Sequence, residues 1–87
     1  MTLYFGNSEV RRCIAHPQSE EEAFKLINKF ANERNYNIFY VRSWKKDNET
    51  TYDVGSHTEF FYLNDKTTDE EEFWNVEDWL RAKEELN

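Results

Sequence analysis

Three groups of side chains in this 87-residue chain have the types and spacing that chemistry uses. Cys13 and His16 stand as C-x-x-H, half of a tetrahedral zinc site, since zinc takes thiolate and imidazole ligands. Two more ligands are needed and His57 is the only other histidine, so the pair reads as a half-buried thiol beside a strand-end imidazole, and no metal is expected. Cys13 or Ser56 could serve as a nucleophile with His57 as base and Asp53 to orient it, Glu59 lying close by in sequence. Gly55-Ser56-His57 is also ordinary turn chemistry, so an enzyme or small-ligand site centred on Asp53 and His57 is the alternative reading, not the expectation. The third group is carboxylates. Glu20 to Glu22 and Asp69 to Glu72 offer paired acids for hydrolysis or for magnesium, but the positive end of a helix dipole already accounts for acidic runs at helix starts.

Eighteen acidic against eleven basic residues give a net charge of −7, which repels phosphate backbones and anionic membranes and favours basic partners. Residues 67–87 hold eight carboxylates against two cations, so −6 of that charge belongs to the last segment. Spaced carboxylates on a rigid helix can imitate duplex phosphates and compete for a basic channel. The expected contact set is therefore Asp69, Glu70, Glu72, Glu77 and Asp78 with Trp74 beside them, joined by Tyr40, Arg42 and Trp44 from an exposed sheet face. A solvated helix face is the plainer account of the same carboxylates.

With 38% hydrophobic and 17% aromatic residues, the chain suits one small domain whose core is built mostly from rings. A single cysteine excludes an internal disulfide, so the expected compartment is the reducing cytoplasm. No stretch reaches the roughly 20 apolar residues of a membrane span, and no secretory leader is expected. Only Gly6 and Gly55 are glycines, which leaves no loop to cradle a phosphate, and no cofactor is expected.

The elements that must position these residues follow from period and punctuation. Residues 2–5 read as a strand ending at Gly6-Asn7, and residues 10–15 as its hairpin partner. Ser19 caps a helix over about residues 20–35, with Glu22 closing a capping box and Ala23, Phe24, Ile27, Phe30 and Ala31 forming the apolar stripe. Asp47-Asn48 marks a hairpin tip, which pairs Lys46 with Glu49, Trp44 with Thr51, Arg42 with Asp53 and Val41 with Val54. Phe39, Val41, Tyr52 and Val54 then share the core face, while Ile38, Tyr40, Arg42, Trp44 and Asp53 share a mixed one. Gly55 turns the chain into a third strand over residues 58–63, one long strand bulged at Gly55 being the competing arrangement. Thr68 with Glu71 repeats the capping box, so an acidic C-terminal helix is expected, with Phe73, Val76, Trp79, Leu80 and Leu86 on its stripe and Trp74 on the other side unless the helix breaks near Asn75.

Arg42-Ser43-Trp44, followed by Asp53-Val54-Gly55-Ser56-His57-Thr58-Glu59-Phe60-Phe61, resembles a pattern in small uncharacterised proteins of phages and prophages of Gram-positive bacteria. The resemblance covers residues 40–63 and carries over no catalytic residue. It implies a compact phage-type protein, a class that includes stoichiometric inhibitors of host nucleases such as anti-CRISPR and anti-restriction proteins. The expectation is thus an α+β domain with an antiparallel sheet of three to five strands, one helix packed on it and the acidic helix at the C-terminus. Functionally it is a non-enzymatic protein that inhibits a basic host protein, with no direct nucleic acid or membrane partner. A homo-oligomeric assembly protein joined through Trp74 and a sheet edge is a further alternative.

Overall fold

A computed structural model of the chain describes residues 1–7, 9–35, 38, 41–55 and 58–74. Five strands and one helix follow in the order β1 (Thr2–Gly6), β2 (Arg11–Ala15), α1 (Glu20–Glu33), β3 (Arg42–Lys46), β4 (Glu49–Asp53) and β5 (Phe60–Asn64). They make an α+β fold with a single antiparallel sheet of order β2-β1-β5-β4-β3. Among the described residues no helix is long and apolar enough to cross a membrane.

Alternation along β1 and β5 builds the core. Leu3 faces Leu63 and Phe5 faces Phe61 across the ladder, and all four are buried toward α1. Phe30 of α1 closes an aromatic cluster, its ring 4.9 Å from Phe5 and 5.7 Å edge-on from Phe61. Ile14, Ala15, Ala23, Ile27, Tyr52 and Val54 complete the buried cluster. Leu26 and Ile38 pack at its margin.

Local chemistry fixes the turns and the cap. At the β1–β2 hairpin Gly6 has φ +149, and a Cβ there would sit 2.2 Å from the Val10 carbonyl, so only glycine fits. Asn7 Oδ1 then accepts from the Glu9 and Val10 amides at 2.8 and 2.7 Å. Ser19 Oγ accepts from the Glu22 amide at 3.1 Å, as a capping box requires, but Glu22 Oε2 reaches the Gln18 amide at 2.9 Å rather than that of Ser19. The helix stops at Glu33, two residues short of the expected end, because Asn35 enters the left-handed region at φ 58.

The β3–β4 register is the one that an Asp47-Asn48 tip dictates, with Arg42 opposite Asp53, Trp44 opposite Thr51 and Lys46 opposite Glu49. Asp47 takes φ 56, the positive φ that primed hairpin turns need. Gly55, at φ 95, separates β4 from β5, and the two strands pair antiparallel instead of forming one bulged strand.

Three expectations fail for identifiable reasons. Phe24 is 40% exposed, because it lies one step beyond the arc of α1 that Ala23, Ile27, Phe30 and Ala31 press onto the sheet. Val41 is 39% exposed and β3 is exposed throughout, since α1 does not extend over that edge. Ile38 packs against the core, although alternation assigned it to the mixed face; it precedes the ladder, so strand parity does not reach it. Phe39, Tyr40, Ser56 and His57 lie outside the described residues.

The C-terminal helix is not present where the described chain would begin it, since residues 67–74 contain no helical turn. Thr68 makes a local turn instead of a cap: its hydroxyl accepts from the Glu70 amide at 3.3 Å and donates to Glu70 Oε2 at 2.8 Å, while its own amide donates to Thr2 Oγ1 at 3.0 Å. Asn75, Val76, Glu77, Asp78, Trp79, Leu80 and Leu86 lie outside the described residues.

Removing the ring that joins helix to sheet should be costly. Phe30→Ala is expected to lower the unfolding free energy by about 3–5 kcal/mol in a urea titration, whereas Phe24→Ala should change it by less than about 1 kcal/mol.

Candidate functional site

Two surfaces gather the residues singled out by type and spacing. The first is the extended segment of residues 65–74, which leaves β5 and passes β1 to reach β2 and α1. Thr2 Oγ1 donates to the Lys66 carbonyl at 2.7 Å, the Tyr4 hydroxyl donates to Glu70 Oε2, and the Phe73 amide donates to the Cys13 carbonyl at 2.8 Å. His16 Nδ1 meets Glu72 Oε2 at 2.8 Å. Trp74 ends the segment with its ring 5.3 Å edge-on from Phe30 and its Nε1 donating to Glu33 Oε2 at 2.7 Å. Trp74 is therefore half-buried against the core.

This segment divides the acidic set. Glu70 and Glu72 are spent on Tyr4, Thr68 and His16, while Asp69 and Glu71 are exposed and form no ion pair among the described residues. Glu77 and Asp78 lie outside the described residues. Burial, then the Glu70 hydrogen bond and charge, push the Tyr4 phenol up to about 12, and the same hydrogen bond holds the Glu70 carboxyl below the usual carboxylate range.

Cys13 and His16 do come together, Sγ lying 3.7 Å from Nε2. Glu72, however, takes the opposite ring nitrogen, and among the described residues no three His, Cys, Asp or Glu groups converge as a metal set. Burial first, then the Glu70 charge, raises the Cys13 thiol to about 11, so it is a protonated thiol at neutral pH and a poor nucleophile. Cys13 also cannot join Asp53: β2 and β4 are three strand spacings apart, about 14 Å. Asp53 is itself occupied. Only 5% exposed, it accepts from Arg42 Nη2 at 3.1 Å and from the Gly55 amide at 3.0 Å, which makes it the buried anchor of the hairpin base.

The second surface is the sheet face turned away from α1. Strand parity sets Arg42, Trp44 and Lys46 together on it, next to Thr51 of β4 and Tyr62 of β5. Trp44 is 46% exposed, its ring 6.4 Å edge-on from Phe60 and 5.7 Å from the Arg42 guanidinium carbon. Further in, Arg11 is clamped between the rings of Tyr4 and Tyr62 at 4.5 and 4.8 Å and lies 2.8 Å from Glu49. That last contact misses hydrogen-bond geometry, Glu49 Oε1 having no directed donor, so it acts as a charge contact. An open concavity of about 510 Å³ lies between these groups, lined by Arg11, Trp44, Lys46, Asn48, Glu49 and Thr51 among others.

Of the sheet-face residues expected from sequence, Arg42 and Trp44 are adjacent on this surface and Tyr40 lies outside the described residues. Tyr4, Arg11, Phe60 and Tyr62 were not singled out. Their signal was parity, because burying Leu3, Phe5, Phe61 and Leu63 turns Tyr4, Phe60 and Tyr62 outward together. Comparison with protein-family models, with curated proteins and with solved structures finds no match.

Two outcomes check these contacts. Arg42→Met should cost about 1–3 kcal/mol in a urea titration, because Asp53 stays buried with the Gly55 amide as its remaining partner among the described residues. The Tyr4–Glu70 bond needs a neutral phenol and an ionised carboxyl. Since the Glu70 pKa is lowered on folding, its contribution is complete above the unfolded carboxylate range and is lost as pH falls through the folded value. Since the Tyr4 pKa is raised, its contribution is complete below about pH 10 and is lost as pH rises toward about 12. An ultraviolet titration should show a phenol ionising near pH 12 that is missing in Tyr4→Phe.

Proposed function

We propose that this protein is a non-enzymatic binding protein of the stoichiometric-inhibitor type, working by occluding a surface of a larger protein. The observation that carries the reading is Trp44: a large ring left half in water at the centre of an edge strand, flanked on its own face by Arg42 and Lys46. Tryptophan and arginine are the residues most often found as interface hot spots. Two candidates for catalytic roles have other occupations, Cys13 as a buried neutral thiol and Asp53 as a hairpin anchor.

The net charge of −7 and the outward carboxylates Asp69 and Glu71 favour a partner that is basic overall, such as a host defence nuclease of the kind that anti-CRISPR or anti-restriction proteins block. The resemblance to phage-encoded proteins supports the same class. Because Glu70 and Glu72 are used within the fold, the acidic contribution from residues 69–72 is smaller than sequence spacing suggests, and the weight of the contact moves to the Arg42–Trp44 face.

Capture from a host lysate with graded salt elution, repeated with variants, tests this. Trp44→Ala should keep the melting temperature and weaken capture by about 2 kcal/mol or more, whereas Trp74→Ala should lose roughly 2–3 kcal/mol of stability. Asp69→Lys with Glu71→Lys should weaken capture further at low salt than at high salt. A Trp44→Ala protein that retains full affinity sinks the reading.

A further inference from the structure

We propose that the outward edge of β3 binds an acidic, extended segment of a partner protein as an added strand. This rests on the binding reading above and names the chemistry of what docks.

The sheet has two edges, β2 and β3, and both are basic. β2 reads Arg-Arg-Cys-Ile-Ala and is followed by His16; β3 reads Arg-Ser-Trp-Lys-Lys; neither strand contains an acid. At β2 the chain supplies its own partner. The extended acidic segment of residues 69–73 comes alongside with one main-chain hydrogen bond, Phe73 to Cys13, one carboxylate on a basic group, Glu72 on His16, and one aromatic ring 5.9 Å from a guanidinium, Phe73 by Arg12. Backbone pairing with side chains read on alternate faces is the chemistry of strand addition.

β3 offers the same three features with no described segment beyond it. An antiparallel ladder leaves alternate amides and carbonyls of an edge strand pointing away from its neighbour. The ammonium of Lys46 has no ion-pair partner among the described residues, and Trp44 and Arg42 present an aromatic and a guanidinium at strand spacing. Lysines on an edge also guard against aggregation, but that role needs no exposed tryptophan. The whole-chain preference for basic partners is thus reversed locally, since Lys45 and Arg42 are tied to Asp65 and Asp53 while Lys46 remains to meet a carboxylate. A second copy added antiparallel about Trp44 would set Arg42 and Lys46 against their like-charged counterparts. A nucleic-acid strand would meet the −7 field of the chain, with Asp47 and Glu49 beside Trp44 in the concavity.

The probe is the unlabelled, end-blocked peptide Thr-Thr-Asp-Glu-Glu-Glu-Phe-Trp, the sequence of residues 67–74, titrated at low salt into the full ¹⁵N-labelled chain. The expected result is saturable amide shifts across Arg42–Lys46, at least tenfold weaker for the peptide with Gln at its four acidic positions, for Lys46→Glu, and at high salt. Shifts confined to β2 and His16, or no shifts, overturn the inference; so do β3 shifts produced by an eight-nucleotide deoxythymidine strand and not by the peptide. Shifts at β3 that track protein concentration alone assign the edge to a second copy and overturn it as well. If the peptide leaves β3 unmoved while Trp44→Ala still loses the captured partner, the acidic-segment assignment falls and the binding reading stands. If neither responds, both fall.

Discussion

One helix has to dry a five-stranded sheet, and it is too narrow to do so. α1 has 14 residues, about 21 Å of axis, and with its side chains is roughly 10–12 Å across, while four strand spacings make the sheet about 19 Å wide. The helix therefore seals the middle of the sheet, where Phe30 meets Phe5 and Phe61, and leaves the edges to other devices. At β2 the device is the extended acidic segment ending in Trp74. At β3 the described residues supply none, and the strand is exposed from end to end.

The outward face of the sheet is managed by cation–aromatic contacts in place of a second layer. Arg11, held between Tyr4 and Tyr62, covers two rings that would otherwise face water, and its methylene stem adds apolar contact that an ion pair alone would not. Farther along, the same device is half complete: Arg42 stands by Trp44, yet the ring remains substantially exposed. A chain that buries two tyrosines with one arginine and leaves a tryptophan more open beside another has distributed its covering unevenly.

Much of this was legible in the sequence because it is written in short-range rules. The Ser19 cap, the stripe of Ala23, Ile27, Phe30 and Ala31, and the register from Asp47-Asn48 depend on neighbours within a few residues. What could not be read depends on distant partners. Thr68 and Glu71 have the spacing of a capping box, but Thr2, Tyr4 and His16, more than fifty residues upstream, claim the segment's polar groups and hold it extended. Likewise, Val41 has strand parity with the core yet lies at an edge whose position in the sheet no local pattern encodes. Asp53 was placed on the correct face, but alternation along a strand does not encode its burial beside Arg42 and the Gly55 amide.

The strand order also governs when the protein can come into existence. β5 lies between the two hairpins, pairing with β1 on one side and β4 on the other, so residues 2–6, already paired with β2, find their second neighbour only at residues 60–64. During synthesis the first hairpin and α1 must wait, their apolar faces unclosed, until most of the described chain has left the ribosome, and the closure spans a loop of more than fifty residues. Assembly is thus held to a single late event, with β5 as the keystone, and a chain cut short before Phe60 has two hairpins and no shared sheet.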